Sequence, residues 1–168
     1  VETTTSLDSS IWEDARYSGT IPSEFGLLTK VTAAELSDNF LTGPLPTELG
    51  NLLQLDHEFN CQMNFLTAEI PTEFGKVSKL SQLSLNGNSF TGTIPTELGC
   101  VNQLVDGLSM QMNSLSSSIP SELGLLEQLT DEFELFGNAL SRSIPTQIGG
   151  LSKMSYWFDL SQNDLTST

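Results

Sequence analysis

One beat runs through this chain so regularly that it leaves few folds open. An apolar residue precedes Pro at Ile21-Pro22, Leu45-Pro46, Ile70-Pro71, Ile94-Pro95, Ile119-Pro120 and Ile144-Pro145, in steps of 24, 25, 24, 25 and 25 residues. Four residues after each Pro stands a glycine: Gly26, Gly50, Gly75, Gly99, Gly124 and Gly149. Asparagine keeps the same time at Asn39, Asn64, Asn88, Asn113, Asn138 and Asn163. A period of roughly 20–50 residues marks an array of coils, each of which buries its apolar face only by stacking on its neighbours. The expected fold is a solenoid.

Aligned on those marks, the unit reads L-x-x-L-x-L-x-x-N-x-L-[TS]-x-x-[IL]-P-[ST]-E-[LF]-G-x-[LV], most cleanly from Leu80 to Pro95. Its x-L-x-L-x part alternates like a short strand with apolar residues inward, and stacked coils set such strands side by side at about 4.8 Å in a parallel sheet. The inward pairs are Ala34/Leu36, Phe59/Cys61, Leu83/Leu85, Leu108/Met110, Phe133/Leu135 and Phe158/Leu160. The Asn side chain can satisfy backbone groups where the chain turns, once per coil, as a scaffold ladder. Pro is expected at the first position of a short helical turn, Glu near the positive end of that turn, and Gly at its left-handed exit.

This unit, with its L-T-G-x-I-P, resembles the leucine-rich repeat of the subtype common in plants and related lineages, over about Tyr17 to Thr166. The resemblance implies an α/β fold: a right-handed solenoid with a parallel sheet on the concave face and short helical turns on the convex face. Residues 1–168 are then one domain. It comprises a degenerate first coil over about 1–26, six coils of 24 or 25 residues, and a truncated last coil over about 150–168. In the first coil Trp12, Ala15, Tyr17 and Gly19 stand where Leu, Asn, Leu and Gly are expected. End coils of a repeat array expose their core, and the paired-Cys cap of many family members is not visible here. The chain is therefore expected to be part of a longer array or to have neighbouring chains covering its ends.

One departure from the family spacing stands out. The run from the last Leu of the turn to the strand is short at Val31–Ala34 and Leu80–Leu83. It is one residue longer at Leu55–Phe59, Leu104–Leu108, Leu129–Phe133 and Met154–Phe158. Absorbing that residue as a bulge would make the sheet edge irregular at these four coils and leave the insertions exposed.

Charge narrows the function. Lys plus Arg number 6 against 21 Asp plus Glu, a formal net charge of −15. Nucleic-acid affinity is built on Lys and Arg displacing counterions, so nucleic acid and anionic membranes are poor partners. No apolar run approaches the ~18 residues of a membrane span, and the start VETTTSLDSS has neither the basic end nor the apolar stretch of a signal peptide, as in the mature part of a longer precursor. An apolar share of 38% with nine Phe suffices for a core. Of the two Cys, Cys61 falls at an inward position and Cys100 on the opposite side of the coil. A disulfide would need Cα atoms within about 7 Å, so none is expected.

In a repeat, what recurs is structural and what varies on the surface can specify a partner. The first variable column of the inner face is Glu35, Asn60, Ser84, Ser109, Glu134 and Asp159; the second is Ser37, Gln62, Asn86, Gln111, Phe136 and Ser161. The family resemblance makes this concave face the ligand surface. The candidate ligand-binding residues are Glu35, Asn60, Gln62, Ser84, Asn86, Ser109, Gln111, Glu134, Phe136, Asp159 and Trp157. Phe136 is the kind of lone aromatic that anchors interfaces, although a ring contact with Trp157 would also account for it. At the strand starts Asp56, His57, Glu58, Asp106, Asp131 and Glu132 form an acidic edge ending in Tyr156 and Trp157, which would attract a cation or a cationic partner.

The convex Glu column (Glu24, Glu48, Glu73, Glu97, Glu122, then Gln147) is explained by helix starts. It supplies too few oxygens for calcium, which wants about six or more, so no metal or cofactor is expected. Ser/Thr rows after Pro and after the apolar residue (Thr42, Thr67, Thr91, Ser116, Ser141, Thr166) leave an ice-binding solenoid as a minor alternative, with turn capping the simpler account. The lone His57, without a nucleophile or ligand motif, gives catalysis no support. The expected function is non-catalytic recognition of a protein or peptide, a cationic one being favoured by the acidic face, by an extracellular or cell-surface module of a larger protein. The alternative is a structural element of an assembly. The sequence contains no N-x-[ST] sequon.

Overall fold

The computed structural model describes residues 16–167, so Trp12 and Ala15 of the expected first coil lie outside the described residues. Among the described residues thirteen short strands follow one another: β1 (Ser18–Thr20), β2 (Ala34–Glu35), β3 (Phe40–Gly43), β4 (Glu58–Asn60), β5 (Phe65–Glu69), β6 (Gln82–Ser84), β7 (Ser89–Gly92), β8 (Gly107–Ser109), β9 (Ser114–Ser117), β10 (Glu132–Glu134), β11 (Ala139–Arg142), β12 (Trp157–Asp159) and β13 (Asp164–Leu165). The even-numbered strands form one six-stranded sheet and the odd-numbered strands a second, seven-stranded sheet. All pairings are parallel, and Phe59, Leu83, Leu108, Phe133 and Phe158 lie in one register row. The even sheet is the inner sheet that the x-L-x-L-x pattern foretells. The odd sheet was not foreseen, because its strands bring only one inward residue per coil, Leu41, Leu66, Phe90, Leu115 or Leu140, all buried.

A five-residue 3-10 helix closes the coils at Ser23–Leu27, Thr47–Asn51, Thr72–Lys76, Thr96–Cys100, Ser121–Leu125 and Thr146–Gly150. The reason lies in spacing by three. Leu49 N–H donates to Pro46 C=O, Leu52 N–H to Leu49 C=O and Leu55 N–H to Leu52 C=O, at 3.0–3.1 Å. With three residues per turn, every third side chain shares a face, and Leu49, Leu52 and Leu55 are all buried. The same triplets recur as Phe74/Val77/Leu80, Leu98/Val101/Leu104 and Leu123/Leu126/Leu129. One continuous apolar core runs between these helices and the two sheets.

The Asn ladder is present at every coil. Asn64 Oδ1 accepts Leu41 N–H of the preceding coil at 2.9 Å. Its Nδ2 donates to Cys61 C=O and Gln62 C=O of its own coil, both at 3.1 Å, and to Leu36 C=O of the preceding one at 2.9 Å. Each side chain thus closes its own turn and ties it to the coil before.

Four local expectations need correction. Pro is the residue before the helix, not its first position: Pro46 is extended, at φ −65° and ψ 138°, and its carbonyl accepts the first helical bond. The Ser/Thr row after Pro does not cap the helix. Its hydroxyls turn to the adjacent Glu, as Thr47 Oγ1 does to Glu48 Oε2 at 3.3 Å. The glycine of P-x-x-x-G is not a left-handed exit either, since it lies inside the helix at negative φ. It is small because the helix of the next coil presses on it: a Cβ on Gly50 would stand 2.6 Å from Glu73 Cβ.

The inner sheet, finally, stays in register across short and long coils. Where a short and a long coil adjoin, the extra residue is absorbed just before the strand as the expected bulge, two donors sharing one carbonyl, and the strand itself stays regular. Asp56 and His57 N–H both reach Thr32 C=O, at 3.1 and 3.0 Å. Asp56, His57 and Asp106 are exposed as expected, while Asp131 and Glu132 are half-buried and Gly107 is buried.

The glycine contact has a direct test. Gly50→Ala is expected to lower unfolding free energy by about 1–3 kcal/mol through overpacking. Gly149→Ala, with nothing within 4 Å of the new methyl, should leave the urea midpoint nearly unchanged.

Candidate functional site

Three columns face outward along the inner sheet. The sequence marks two; the third is Glu58, Gln82, Gly107, Glu132 and Trp157, at the first position of strands β4 to β12. The sequence reading places Glu58, Glu132 and Trp157 on the edge at the strand starts and does not single out Gln82 or Gly107. Register shows Glu132 beside both Gly107 and Trp157. Had the extra residue of the long coils been placed one position earlier, the same beat would have revealed the column.

The candidate residues are not equivalent. Ser84 and Ser109 are buried and offer no docking surface. Longer neighbours lie over them: Gln82 Nε2 donates to Ser84 Oγ at 3.2 Å, and Ser109 Oγ donates to Glu132 Oε2 at 2.8 Å. At the other end Glu35 is spent on the scaffold, its Oε1 accepting Ser37 N–H and its Oε2 accepting Asn60 Nδ2, both at 3.0 Å. Asn60 Oδ1 in turn accepts Gln62 N–H at 3.1 Å. Asn86 and Gln62 remain half-buried on the face.

The remaining candidates converge over β8, β10 and β12. Gln111 Nε2 donates to Glu134 Oε2 at 2.6 Å, and Gln111 Oε1 is buried with no hydrogen-bond partner. Asp159 sits beside Glu134 in the sheet, with its Oδ1 accepting Ser161 N–H at 2.8 Å. Glu132, Glu134 and Asp159 therefore form a carboxylate group, and strands β2 to β12 contain no Lys or Arg in any of the three columns.

The charges show the crowding. Partial burial, then the neighbouring Glu132 and Asp159, push the Glu134 carboxyl above its ordinary value. Hydrogen bonds from Ser161 hold Asp159 below the usual carboxylate range. Two aromatic groups flank the carboxylates. Trp157 is exposed at the start of β12, and Phe136 is half-buried just past the end of β10. Four residues separate the Trp157 and Phe136 columns along the strand direction, about 13 Å. The two rings do not touch; the ring contact at this end is Phe133 stacked on Phe158 at 5.2 Å.

Among the described residues no His, Cys, Asp and Glu cluster could hold a metal ion. His57 Nδ1 lies 2.7 Å from Asp56 Oδ1 at an exposed corner. Cys61 and Cys100 are both free; burial pushes the Cys61 thiol up, which keeps it an inert core group. The described lysines lie outside the inner-sheet columns, Lys79 and Lys153 donating to Gln54 and Gln128 of the preceding coils. No described helix is long and apolar enough to cross a membrane.

The crowding is measurable. A carboxyl raised on folding binds its proton more readily in the folded state. Its contribution to stability is therefore present at low pH and is lost as pH rises from the ordinary Glu value through the raised one. In a carboxyl NMR titration Glu134 is expected to titrate above ordinary Glu, and Glu132→Gln should move it back down.

Comparison with known proteins agrees with this geometry. Residues 79–101 match the family model described as Leucine Rich Repeat. Among curated proteins none matches the chain. Solved structures do. The leucine-rich repeat ectodomain of the Arabidopsis thaliana membrane receptor kinase GASSHO1/SCHENGEN3, solved with CASPARIAN STRIP INTEGRITY FACTOR 2, is 34% identical at a TM-score of 0.82 over 89% of this chain and 17% of that one. The ectodomain of the Arabidopsis receptor kinase HAESA, solved with an extended IDA peptide hormone, is 35% identical at 0.82 over 88% of this chain and 25% of that one. The Leptospira interrogans leucine-rich repeat protein LIC12759 is 32% identical at 0.73 over 89% of this chain and 36% of that one. The chain thus spans about a sixth to a third of the length of these chains. Neither the family model nor these structures indicate an enzymatic family. The repeat unit, the two parallel sheets with their 3-10 turns, and these matches together place the chain among the plant-type leucine-rich repeat proteins.

Proposed function

We propose that this chain is a non-catalytic recognition segment of a larger, extracellular protein, and that it docks a peptide or protein through a basic side chain. The observation that carries this reading is the group Glu132, Glu134 and Asp159, with Gln111 Oε1 unpaired beside it. A guanidinium or ammonium set there would relieve the like-charge crowding and give the orphaned acceptor a donor. Trp157 and Phe136 would hold the apolar stem of such a side chain from two sides, with a cation–π contribution from the indole. The backbone beneath is fixed by the core and the Asn ladder, so little entropy is lost on docking. GASSHO1/SCHENGEN3 and HAESA were each solved with a peptide or protein factor, which supports recognition and an extracellular setting.

Assembly is the second reading, favoured by Tyr156 and Trp157, exposed next to each other at the start of β12. For ice binding the Ser/Thr row on the odd-numbered strands is less regular than the sequence suggests. Ser116 and Ser141 are half-buried and spend their hydroxyls on the backbone carbonyls of Gly92 and Ser117.

Peptides selected on the wild-type chain from a random display library are expected to be enriched in Lys and Arg. They should bind at least about tenfold more weakly to the double variant Glu134→Lys, Phe136→Ala at an unchanged thermal midpoint. Equal binding to both chains would overturn the reading. Sedimentation velocity separates the alternative, which requires self-association that Trp157→Ala abolishes.

A further inference from the structure

Away from the inner sheet, two columns flank the Asn ladder on the outside of the turn between the sheets. The residue before each ladder Asn is Asp38, Met63, Gly87, Met112, Gly137 or Gln162, and every one is left-handed, with φ between 52° and 65°. That conformation costs an L-residue about 1–2 kcal/mol, least for Gly, Asn and Asp. Met63 and Met112 bear that cost at positions where neighbouring coils use glycine. Nor do they gain burial by it, being 55% and 61% exposed.

Each of these Met side chains lies against the glycine of the following coil. A Cβ on Gly87 would meet Met63 Sδ at 2.5 Å, and one on Gly137 would meet Met112 Cγ at 3.6 Å. Glycine at Gly87 leaves the room that Met63 occupies. The column one residue after the Asn continues the pattern: Phe40 and Phe65 are 51% and 56% exposed, where later coils carry Ser89, Ser114, Ala139 and Asp164. Their rings stack at 6.2 Å and 11°. Four large apolar side chains, two of them at a backbone cost, thus stand exposed on a corner where other coils have Gly, Ser or other small or polar residues.

The strip reaches from the coil of Phe40 to that of Met112, three coil steps or about 14 Å. At about 200 Å² for a large side chain, half exposed, it presents roughly 400 Å². That is half of the about 800 Å² per partner of a standard stable interface, so it suits a segment better than a second copy. Charge points the same way. Exposed Asp38 stands in the strip's own column, no Lys or Arg follows in either column from Asp38 onward, the exposed Arg16 lies one coil before Phe40, and two copies would each bring a net charge of −15.

We propose that Phe40, Met63, Phe65 and Met112 form a second docking strip, separate from the inner-sheet columns, for a segment of another protein whose apolar side chains are flanked by Lys or Arg. The soft Met side chains adapt to an apolar anchor while the stacked Phe pair gives it a rigid floor.

Three fluorescein-labelled synthetic peptides of about twelve residues test this by anisotropy against the full chain, long enough to cross the strip when extended: alternating Leu/Lys, alternating Ser/Lys and alternating Leu/Glu. The Leu/Lys peptide is expected to bind at least about tenfold more tightly than the other two, and to lose that margin on the variant F40S/M63G/F65S/M112G. This variant carries residues that other coils hold at the same positions, so its thermal midpoint should be equal or higher. The pair F40S/F65S alone, which leaves both Met positions untouched, is expected to lose part of the margin and serves should the fourfold variant fail to fold. The margin of Leu/Lys over Ser/Lys, which an inner-sheet site for a basic side chain does not create, should be retained in the E134K/F136A background even where overall affinity falls. Equal binding, in the E134K/F136A background, by chains with and without the strip substitutions, equal binding there of the Leu/Lys and Ser/Lys peptides, or a wild-type dimer that the strip variant abolishes would each overturn the proposal.

Discussion

A carboxamide turned inward at every coil is what allows the rest of this chain to be a solenoid. The turn between the two sheets leaves backbone N–H and C=O groups pointing into an apolar interior, where an unpaired group costs about 1–3 kcal/mol. Asn alone among side chains of its length offers an acceptor and two donors together. At Asn64 one oxygen and one nitrogen serve four backbone groups in two successive coils. Because those bonds run between coils as well as within them, they fix the step from one coil to the next. With that step fixed, the inner strands pair in unbroken register, the 3-10 helices press glycine against Glu, and the Leu, Val and Phe rows meet in one core.

A scaffold held from within leaves its outside free to vary, and the variation is unevenly distributed. Around β2 and β4 the acidic and amide groups of the inner face bond one another and the backbone. Around β10 and β12 carboxylates crowd without a cation, an amide oxygen is left without a donor, and aromatic rings stand at both sides. One face therefore contains a satisfied half and an unsatisfied half. The net charge of −15 acquires locations: one Glu at the start of each 3-10 helix but the last, and a group of carboxylates on the inner face around β10 and β12.

Several features were legible because they repeat. Ile-Pro, Gly and Asn in step announce the coil and the ladder, and the x-L-x-L-x alternation announces the inner sheet. Other features repeat as well, yet their cause lies in a neighbouring coil. Gly50 is read from sequence as a turn residue, but it is small because Glu73 of the next coil leaves no room for a methyl group. Ser84 and Ser109 read as surface residues, but Gln82 and Glu132 cover them. The extra residue at Leu55–Phe59 reads as a break in the sheet, but a carbonyl that takes two donors absorbs it.

By itself the sequence determined the class of fold, the number of repeats and the inward-facing rows, because periodic burial and a periodic hydrogen-bonding residue are properties of each coil that its own 24 or 25 residues express. The second sheet, the reason for the helix glycines, the place of Glu132 in the same group as Glu134 and Asp159, and the exposure of Phe40, Met63, Phe65 and Met112 were decided only in three dimensions. Each depends on what the adjacent coil places a few ångströms away, and parallel stacking joins residues some 25 positions apart in the chain, as between Glu134 and Asp159.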